Sequence, residues 1–282
     1  MVRRLPSVAA VVLALAVGIA LGAGPLTSAA KDALVSAPTG HGAAAVQSDA
    51  FGDSFARRAG PQLYGRRLSG HPVALLAMPG ADESVVNALA YEVRRAGGGT
   101  PTTWNVGRSL TSTGDTTLVD TLGSQLLEQV GPGAGDPKAP AYERIGQIIG
   151  SAIATRAAGG EAAGPDNSSI RESLAGAHLV TGHTDSTRLA PIVMVVLGDD
   201  VDDRLLTPLL TGLHGKARAL VVTAAERRGD LAAASTVTGV TTVDGDARPV
   251  GRIAAVLAAI RALDTPGGSF GASGSDGPFP LG

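Results

Sequence analysis

The stretch Val73-Ala74-Leu75-Leu76-Ala77-Met78, followed at once by Pro79-Gly80, decides the fold class of this chain. An unbroken short apolar run that ends in a turn signal is typical of a strand buried on both faces of a sheet. Asp82 can then cap a helix, and the next apolar residues recur at helical spacing. These residues are Val85, Val86, Leu89 and Val93. The glycines at 97–99 end this helix, so the stretch predicts a strand followed by a helix.

The same alternation continues to the end of the apolar pattern. Further strands are predicted at 102–106, 178–181, 192–197, 219–223 and 236–243. Helices are predicted around Leu118–Leu126, Ile145–Ile153, Leu205–Leu213 and Val250–Ile260, and a short one at the capping box Ser169-Ile170-Arg171-Glu172. Apolar strands that alternate with helices favour parallel pairing, with helices on both faces of the sheet. The expected fold class is therefore α/β, with a doubly wound, mostly parallel, Rossmann-like sheet in three layers.

The N-terminal segment predicts a membrane helix before this domain. Arg3 and Arg4 precede an uncharged apolar run, Val8–Gly24, and a spanning helix needs roughly 17–25 such residues. The leading arginines favour a cytoplasmic N-terminus, which places the rest of the chain outside the cytoplasm. The small residues Ser28-Ala29-Ala30 keep a cleaved signal peptide open as the alternative. The expected location is the cell membrane, as a single-pass protein with an extracytoplasmic domain.

Composition shifts suggest four parts. Residues 1–30 are the membrane anchor or signal sequence, and residues 31–70, rich in Ala, Gly, Ser and Asp, are a linker or weak helix. Residues 71–265 are the α/β domain. Residues 266–282 are rich in Gly and Ser, which predicts a flexible tail.

Overall composition excludes some classes of function. The net charge of −2 argues against a nucleic-acid-binding surface, which usually shows a basic excess. The absence of cysteine removes both disulfides and thiolate ligands. At 44% hydrophobic but only 3% aromatic residues, the core must consist mainly of Ala, Val, Leu and Ile.

One acidic cluster is a candidate site for a hard cation. Asp199, Asp200, Asp202 and Asp203 follow the predicted strand at 192–197, where open α/β sheets place their ligand crevice. Carboxylates of this kind can bind Ca²⁺ or Mg²⁺. The spacing lacks the D-x-D-x-D-G pattern, and capping of the next helix is the simpler interpretation. No cofactor is expected.

Catalytic motifs are weak. Gly52-Asp53-Ser54 matches a serine-esterase nucleophile motif, but no histidine follows His214 to act as its base. Walker, CxxC, HExxH and G-x-S-x-G patterns do not occur. We therefore expect that the protein is not an enzyme.

Ligands for copper are also sparse. Copper(I) prefers Cys, Met and His side chains. Met78 and Met194 fall inside predicted buried strands, and the five histidines are scattered through the chain. They are His41, His71, His178, His183 and His214. This inventory does not favour a tight copper site.

Two parts of the chain nevertheless resemble a known family. The residues that carry the resemblance are Leu13-Ala14-Leu15-Ala16, Gly18-Ile19-Ala20-Leu21-Gly22 and Gly24 near the N-terminus, and Ala234-Ser235-Thr236-Val237, Val243-Asp244 and Gly251-Arg252-Ile253-Ala254-Ala255-Val256-Leu257 further on. Together with the strand and helix that begin at Val73, they resemble the mycobacterial copper transport protein B (MctB) family of actinobacterial envelope proteins. The resemblance covers most of the chain.

The resemblance implies a membrane-associated envelope protein linked to copper efflux or homeostasis, with no catalytic residues. Some relatives instead look like regulators of cell-wall hydrolysis and cell separation that act through a dimeric outer domain. The implied partners are thus the membrane, copper ions, an envelope or division protein, and a second copy of the chain. A single membrane helix cannot line a pore alone, so physical reasoning favours an interaction module, whereas the resemblance favours copper transport.

The chain departs from the family pattern in two places. Relatives usually have a charged coiled coil after the membrane helix, but Pro38, Pro61 and many glycines interrupt residues 31–70 here. Relatives also tend to end in Gly-Gly-His-Tyr-Gly, where this chain has Gly267-Gly268-Ser269-Phe270-Gly271. The missing histidine removes one potential metal ligand.

Overall fold

The computed structural model describes residues 41–280 except 112, 113, 115, 132, 184, 200, 227 and 228. The predicted membrane helix at 8–24 lies outside the described residues. No helix in the described ranges is both long enough and apolar enough to cross a bilayer. The chain divides into two units after Phe51, and the α/β domain belongs to the second unit.

Nine strands and eight α-helices make up the described chain. The strands are β1 Val73–Ala77, β2 Thr102–Val106, β3 Glu161–Ala162, β4 Val180–Gly182, β5 Arg188–Leu189, β6 Ile192–Val196, β7 Ala219–Ala224, β8 Val240–Asp244 and β9 Gly268–Phe270. The helices are α1 His41–Tyr64, α2 Glu83–Arg95, α3 Thr116–Val130, α4 Ala141–Ile153, α5 Pro165–Gly176, α6 Asp203–Lys216, α7 Gly229–Ser235 and α8 Pro249–Ala262. A short 3₁₀ helix, Arg108–Leu110, follows β2.

Seven of the strands form one sheet in the order β4-β2-β1-β6-β7-β8-β9. All neighbours pair in parallel except β4, which runs antiparallel to β2 at the edge. β3 and β5 form a separate antiparallel pair. The prediction of an α/β fold with a mostly parallel sheet is therefore confirmed.

The sheet is covered on both faces, as the apolar runs predicted. Val73, Leu75 and Ala77 of β1 belong to the core beneath α1, α2 and α8. Ala74 and Leu76 belong to the opposite core, which contains residues of α3 to α7. Because successive side chains of a strand point to opposite faces, a strand between two helical layers must be apolar throughout.

The segment before the domain contains a helix, which is one of the two alternatives that the sequence left open. Residues 41–64, predicted as a linker or weak helix, form the helix α1, with Pro61 inside its last turn. Ala56 and Tyr64 of this helix are buried. Burial against the domain stabilises this helix, although the apolar period of its sequence is weak.

The residues assigned to a flexible tail are also structured, as far as Pro280. Gly268–Phe270 pairs with β8 as strand β9, and Phe270 is only 5% exposed. The backbone N–H of Ser273 donates to the buried carboxylate of Asp244 over 3.0 Å, and the Ser273 hydroxyl donates to the same oxygen. The Gly/Ser composition hid this strand because its partners lie far away in the sequence.

Three other boundaries differ. The short helix predicted from the capping box at Ser169 begins earlier, at Pro165, where the N–H of Gly164 donates to Oδ1 of Asn167. The strand expected at 236–243 begins only at Val240, after the unpredicted helix α7. The strand expected at 178–181 is the antiparallel edge strand β4.

Candidate functional site

The carboxyl edge of the sheet, between β1 and β6, is where a doubly wound fold normally binds its ligand. The chain passes from β1 to β2 on one side of β1 and later continues at β6 on its other side. This reversal makes the position between β1 and β6 the topological switch point. In this chain the crevice is closed by backbone. A Cβ atom on Gly198, just after β6, would lie 2.1 Å from the carbonyl oxygen of Pro79 and 2.2 Å from the nitrogen of Ala81. The two loops therefore touch where a ligand would have to enter.

Both of the following helices are capped by aspartates at this edge. The Asp82 carboxylate accepts a hydrogen bond of 2.7 Å from the Ser84 N–H, and this bond lowers the pKa of Asp82. Asp202 likewise accepts from the Arg204 N–H over 2.9 Å and caps α6. These carboxylates satisfy backbone donors at the positive ends of helices.

The acidic cluster predicted as a cation site is only partly described, because Asp200 lies outside the described residues. Asp202 acts as the helix cap. A carboxylate oxygen of Asp203 lies 2.5 Å from the position that a Cβ of Gly229 would occupy, so Asp203 packs against the first residue of α7. The described residues contain no group of three or more His, Asp or Glu arranged to hold a metal ion. The hard-cation site at Asp199–Asp203 stays a prediction.

A cleft of about 590 Å³ lies at the opposite edge of the sheet, where β1 and β2 begin. Its lining includes His71, Thr102, His183, Asp185 and Arg188. These residues come from three segments that are distant in the sequence, and no motif connects them. Sequence reasoning therefore did not identify this cleft.

The backbone orients the two histidines of the cleft. Nδ1 of His71 lies 2.6 Å from the carbonyl oxygen of Ala158. Since a carbonyl oxygen only accepts, Nδ1 of His71 donates this hydrogen bond. Nδ1 of His183 lies 3.1 Å from the nitrogen and 3.0 Å from the oxygen of Thr103. His183 thus continues the pairing between β4 and β2.

A buried arginine supports the segment that carries His183 and Asp185. Arg171 is 1% exposed, and its Nε donates to the carbonyl oxygen of Ala152 over 2.8 Å, while its Nη1 donates to that of Ser186. The guanidinium lies 5.4 Å from the ring centre of Trp104. Burial lowers the pKa of Arg171, and Asp185 opposes that shift. The wall of the cleft is therefore held by fixed hydrogen bonds.

The donor set of the described chain does not fit a resident copper ion. The chain has no cysteine, and both Met78 and Met194 are buried in the core, at 3% and 0% exposure. His214 is elsewhere, beneath the turn at Gly239. Burial, followed by the charge of Arg156, lowers the pKa of His214. The cleft lining contains two histidines but no sulfur ligand, which copper(I) prefers.

The fold and its edges define an α/β domain whose usual ligand crevice is closed. Comparison with known families then gives an assignment. The model of the family described as copper transport outer membrane protein, MctB, matches residues 3–280. The chain belongs to this family, which confirms the resemblance seen in the sequence. A search of curated proteins found no match.

Proposed function

We propose that this chain is a membrane-held envelope protein that contributes to copper homeostasis without catalysing a reaction. On this proposal its α/β domain lies outside the cytoplasm and acts by binding another envelope component. Family membership supports the link to copper, because the family's description names copper transport and the outer membrane.

One observation carries the non-catalytic part of the proposal. The backbone at Gly198 occupies the crevice against Pro79 and Ala81. Enzymes with doubly wound sheets use this crevice to bring substrate or cofactor to the helix N-termini. Here the capping aspartates bind those N-termini instead. A domain of this kind offers its outer surfaces rather than an internal site.

The membrane attachment in this proposal rests on the sequence. The run Val8–Gly24 has the length and apolar character of a short spanning helix, and Arg3 and Arg4 favour a cytoplasmic N-terminus. Membrane fractionation combined with N-terminal analysis of the mature chain tests it. A mature N-terminus near Lys31 in the soluble fraction would refute the anchor.

Deletion of the gene tests the copper proposal. We expect the deletion strain to stop growing at lower copper concentrations than its parent, and the intact gene to restore tolerance. Zinc is the matched control, since a general envelope defect would lower tolerance to both metals. Unchanged copper tolerance combined with unseparated, chained cells would contradict this proposal and favour the alternative role in cell separation.

Copper binding by the purified chain tests independently whether the domain acts through another envelope component rather than by holding copper itself. We expect the full-length protein in detergent not to compete with a chromogenic Cu(I) chelator, because its described donors do not assemble. Stoichiometric removal of Cu(I) from the chelator would show that the chain itself holds the metal. The His71→Ala variant would then establish whether the cleft is responsible.

A further inference from the structure

We propose that the C-terminal ends of α1 and α2 form a docking surface for anionic phospholipid headgroups. This surface, the basic face, consists of Leu63, Arg66, Arg67, Tyr91, Arg94 and Arg95. It lies in the second unit of the chain, and it goes beyond the proposed function because it does not depend on copper.

The last turn of α2 provides an aromatic ring between two arginines. Tyr91 is 51% exposed. The guanidinium carbons of Arg94 and Arg95 lie 5.9 Å and 5.4 Å from the centre of its ring. These contacts place all three side chains on one side of the helix. The ring and the two cations therefore reach solvent together.

The turn after α1 adds two more cations beside this helix end. The N–H of Leu68 donates to the carbonyl oxygen of Ala96 over 3.0 Å. A Cβ atom on Gly97 would lie 3.2 Å from the carbonyl oxygen of Arg66. The turn is thus in contact with the end of α2, and Arg66 and Arg67 are both exposed. Leu63, 40% exposed, lies in the last turn of α1, two residues before Gly65, where this turn begins.

The positive charge of the basic face is largely uncompensated. Among the residues that the structure describes, the ion pair found on this face is that of Arg95 with Glu92, at 3.5 Å. Glu92 itself is 6% exposed and accepts a 2.6 Å hydrogen bond from the Tyr64 hydroxyl, so it is directed inward. The acidic residue in the first turn of α2 is Glu83, at the far end of the helix. The cations concentrate here although the whole chain carries a net charge of −2.

Helix dipoles alone do not account for this surface. Cations are favoured at the C-termini of α1 and α2, where the partial charge is negative. That effect does not require an exposed tyrosine and leucine among the arginines. Arginines that surround exposed aromatic and aliphatic side chains are the composition found at lipid interfaces, where guanidinium groups bind phosphate and the ring enters the headgroup layer. We therefore assign the surface to the bilayer rather than to a soluble polyanion.

The test uses the full chain in lipid nanodiscs, with an environment-sensitive fluorophore on Asn87→Cys. Asn87 is exposed one helical turn before Tyr91, and the chain has no other cysteine. In nanodiscs that contain phosphatidylglycerol we expect the emission to shift to the blue and the label to resist an aqueous quencher. In phosphatidylcholine alone, and at high salt, this protection should be lost. A label on Gln125→Cys, exposed on α3 beneath the other face of the sheet, should stay accessible throughout.

Charge reversal supplies the matched comparison. Arg66→Glu with Arg67→Glu should abolish protection of the Asn87→Cys label, whereas Lys138→Glu with Arg204→Glu, which changes net charge equally on exposed residues elsewhere, should not. Melting curves of both variants would verify that they fold. Equal accessibility in the two lipids, or protection that survives the reversal at Arg66 and Arg67, would overturn the proposal.

Discussion

Gly198 shows how one residue can decide whether an α/β fold has an internal site. Its missing side chain lets the loop after β6 rest on Pro79 and Ala81. We expect Gly198→Ala to lower the free energy of unfolding by about 3 kcal/mol, because the new methyl group overlaps backbone that has no room to move. Urea denaturation of the two proteins would measure the difference.

Gly176→Ala is the matched control for that substitution. Gly176 is the last residue of α5, and a Cβ atom there would meet nothing within 4 Å. Its stability should stay within about 0.5 kcal/mol of the parent chain. If Gly198→Ala were equally mild, the loops would have to be less tightly apposed than described, and the crevice could open.

His214 gives a pH dependence whose sign follows from its surroundings. Burial and the nearby Arg156 lower its pKa in the folded protein. The unfolded chain, with a histidine pKa of about 6.5, therefore binds the proton more readily. The stabilisation is complete above that pH and is lost as pH falls through it toward the lower folded value.

This predicts that the free energy of unfolding decreases as the pH falls from about 7 into the acidic interval. His214→Gln removes the titrating group, so the slope of stability against pH should become shallower over this interval. Denaturation measured at several pH values in both proteins gives the comparison. Identical slopes would exclude His214 as the group responsible.

At the scale of elements, α4 and α6 approach each other through two glycines. A Cβ atom on Gly146 would lie 2.2 Å from the carbonyl oxygen of Leu209, and one on Gly212 would lie 2.0 Å from that of Glu143. Gly146→Ala and Gly212→Ala should each destabilise the protein by about 2–3 kcal/mol, since the helices must separate. The double variant should cost less than the sum, because the first methyl group already widens the gap.

Gly215→Ala, on the same helix α6, is the control for this pair. A Cβ atom there would meet nothing within 4 Å. Alanine is a better helix former than glycine, so this variant should gain roughly 0.5–1 kcal/mol. Additive losses at Gly146 and Gly212 in thermal unfolding would mean that the two contacts are independent.

The elements that the sequence predicted well are those in which consecutive apolar residues indicate burial. β1 and β6 are apolar at every position because both of their faces are covered. β9 and α7 were missed for the opposite reason. The Gly-Ser-Phe strand owes its place to pairing with β8 and to the bond between Ser273 and Asp244, and neither leaves a local pattern.

The candidate sites also differ in whether a local sequence pattern could predict them. Asp82 and Asp202 could be assigned as helix caps from their positions, and the structure confirms both. The cleft at the amino edge could not be predicted, since His71 and His183 are brought together only by the sheet. The basic face was equally hidden, because Arg66 and Arg94 belong to different helix ends that meet in space.

At the scale of the whole domain, the two edges of the sheet differ in whether they offer an open cleft. The carboxyl edge is closed at the switch point, and its aspartates are used as caps. The amino edge carries the cleft, and the basic face lies next to the glycines at 97–99 that line it. The cleft and the basic face therefore adjoin at this end of the sheet.

The position of β1 also bears on how a chain of this topology folds. β1 lies in the middle of the sheet, but its second neighbour is β6, and α2 to α5 lie between them in the sequence. A chain that folds from its amino end during synthesis would at first have its central strand half unpaired. The free edge of β1 would stay exposed until β6 followed, and an unpaired strand edge of this kind is prone to aggregate, so this interval is the most vulnerable stage of folding.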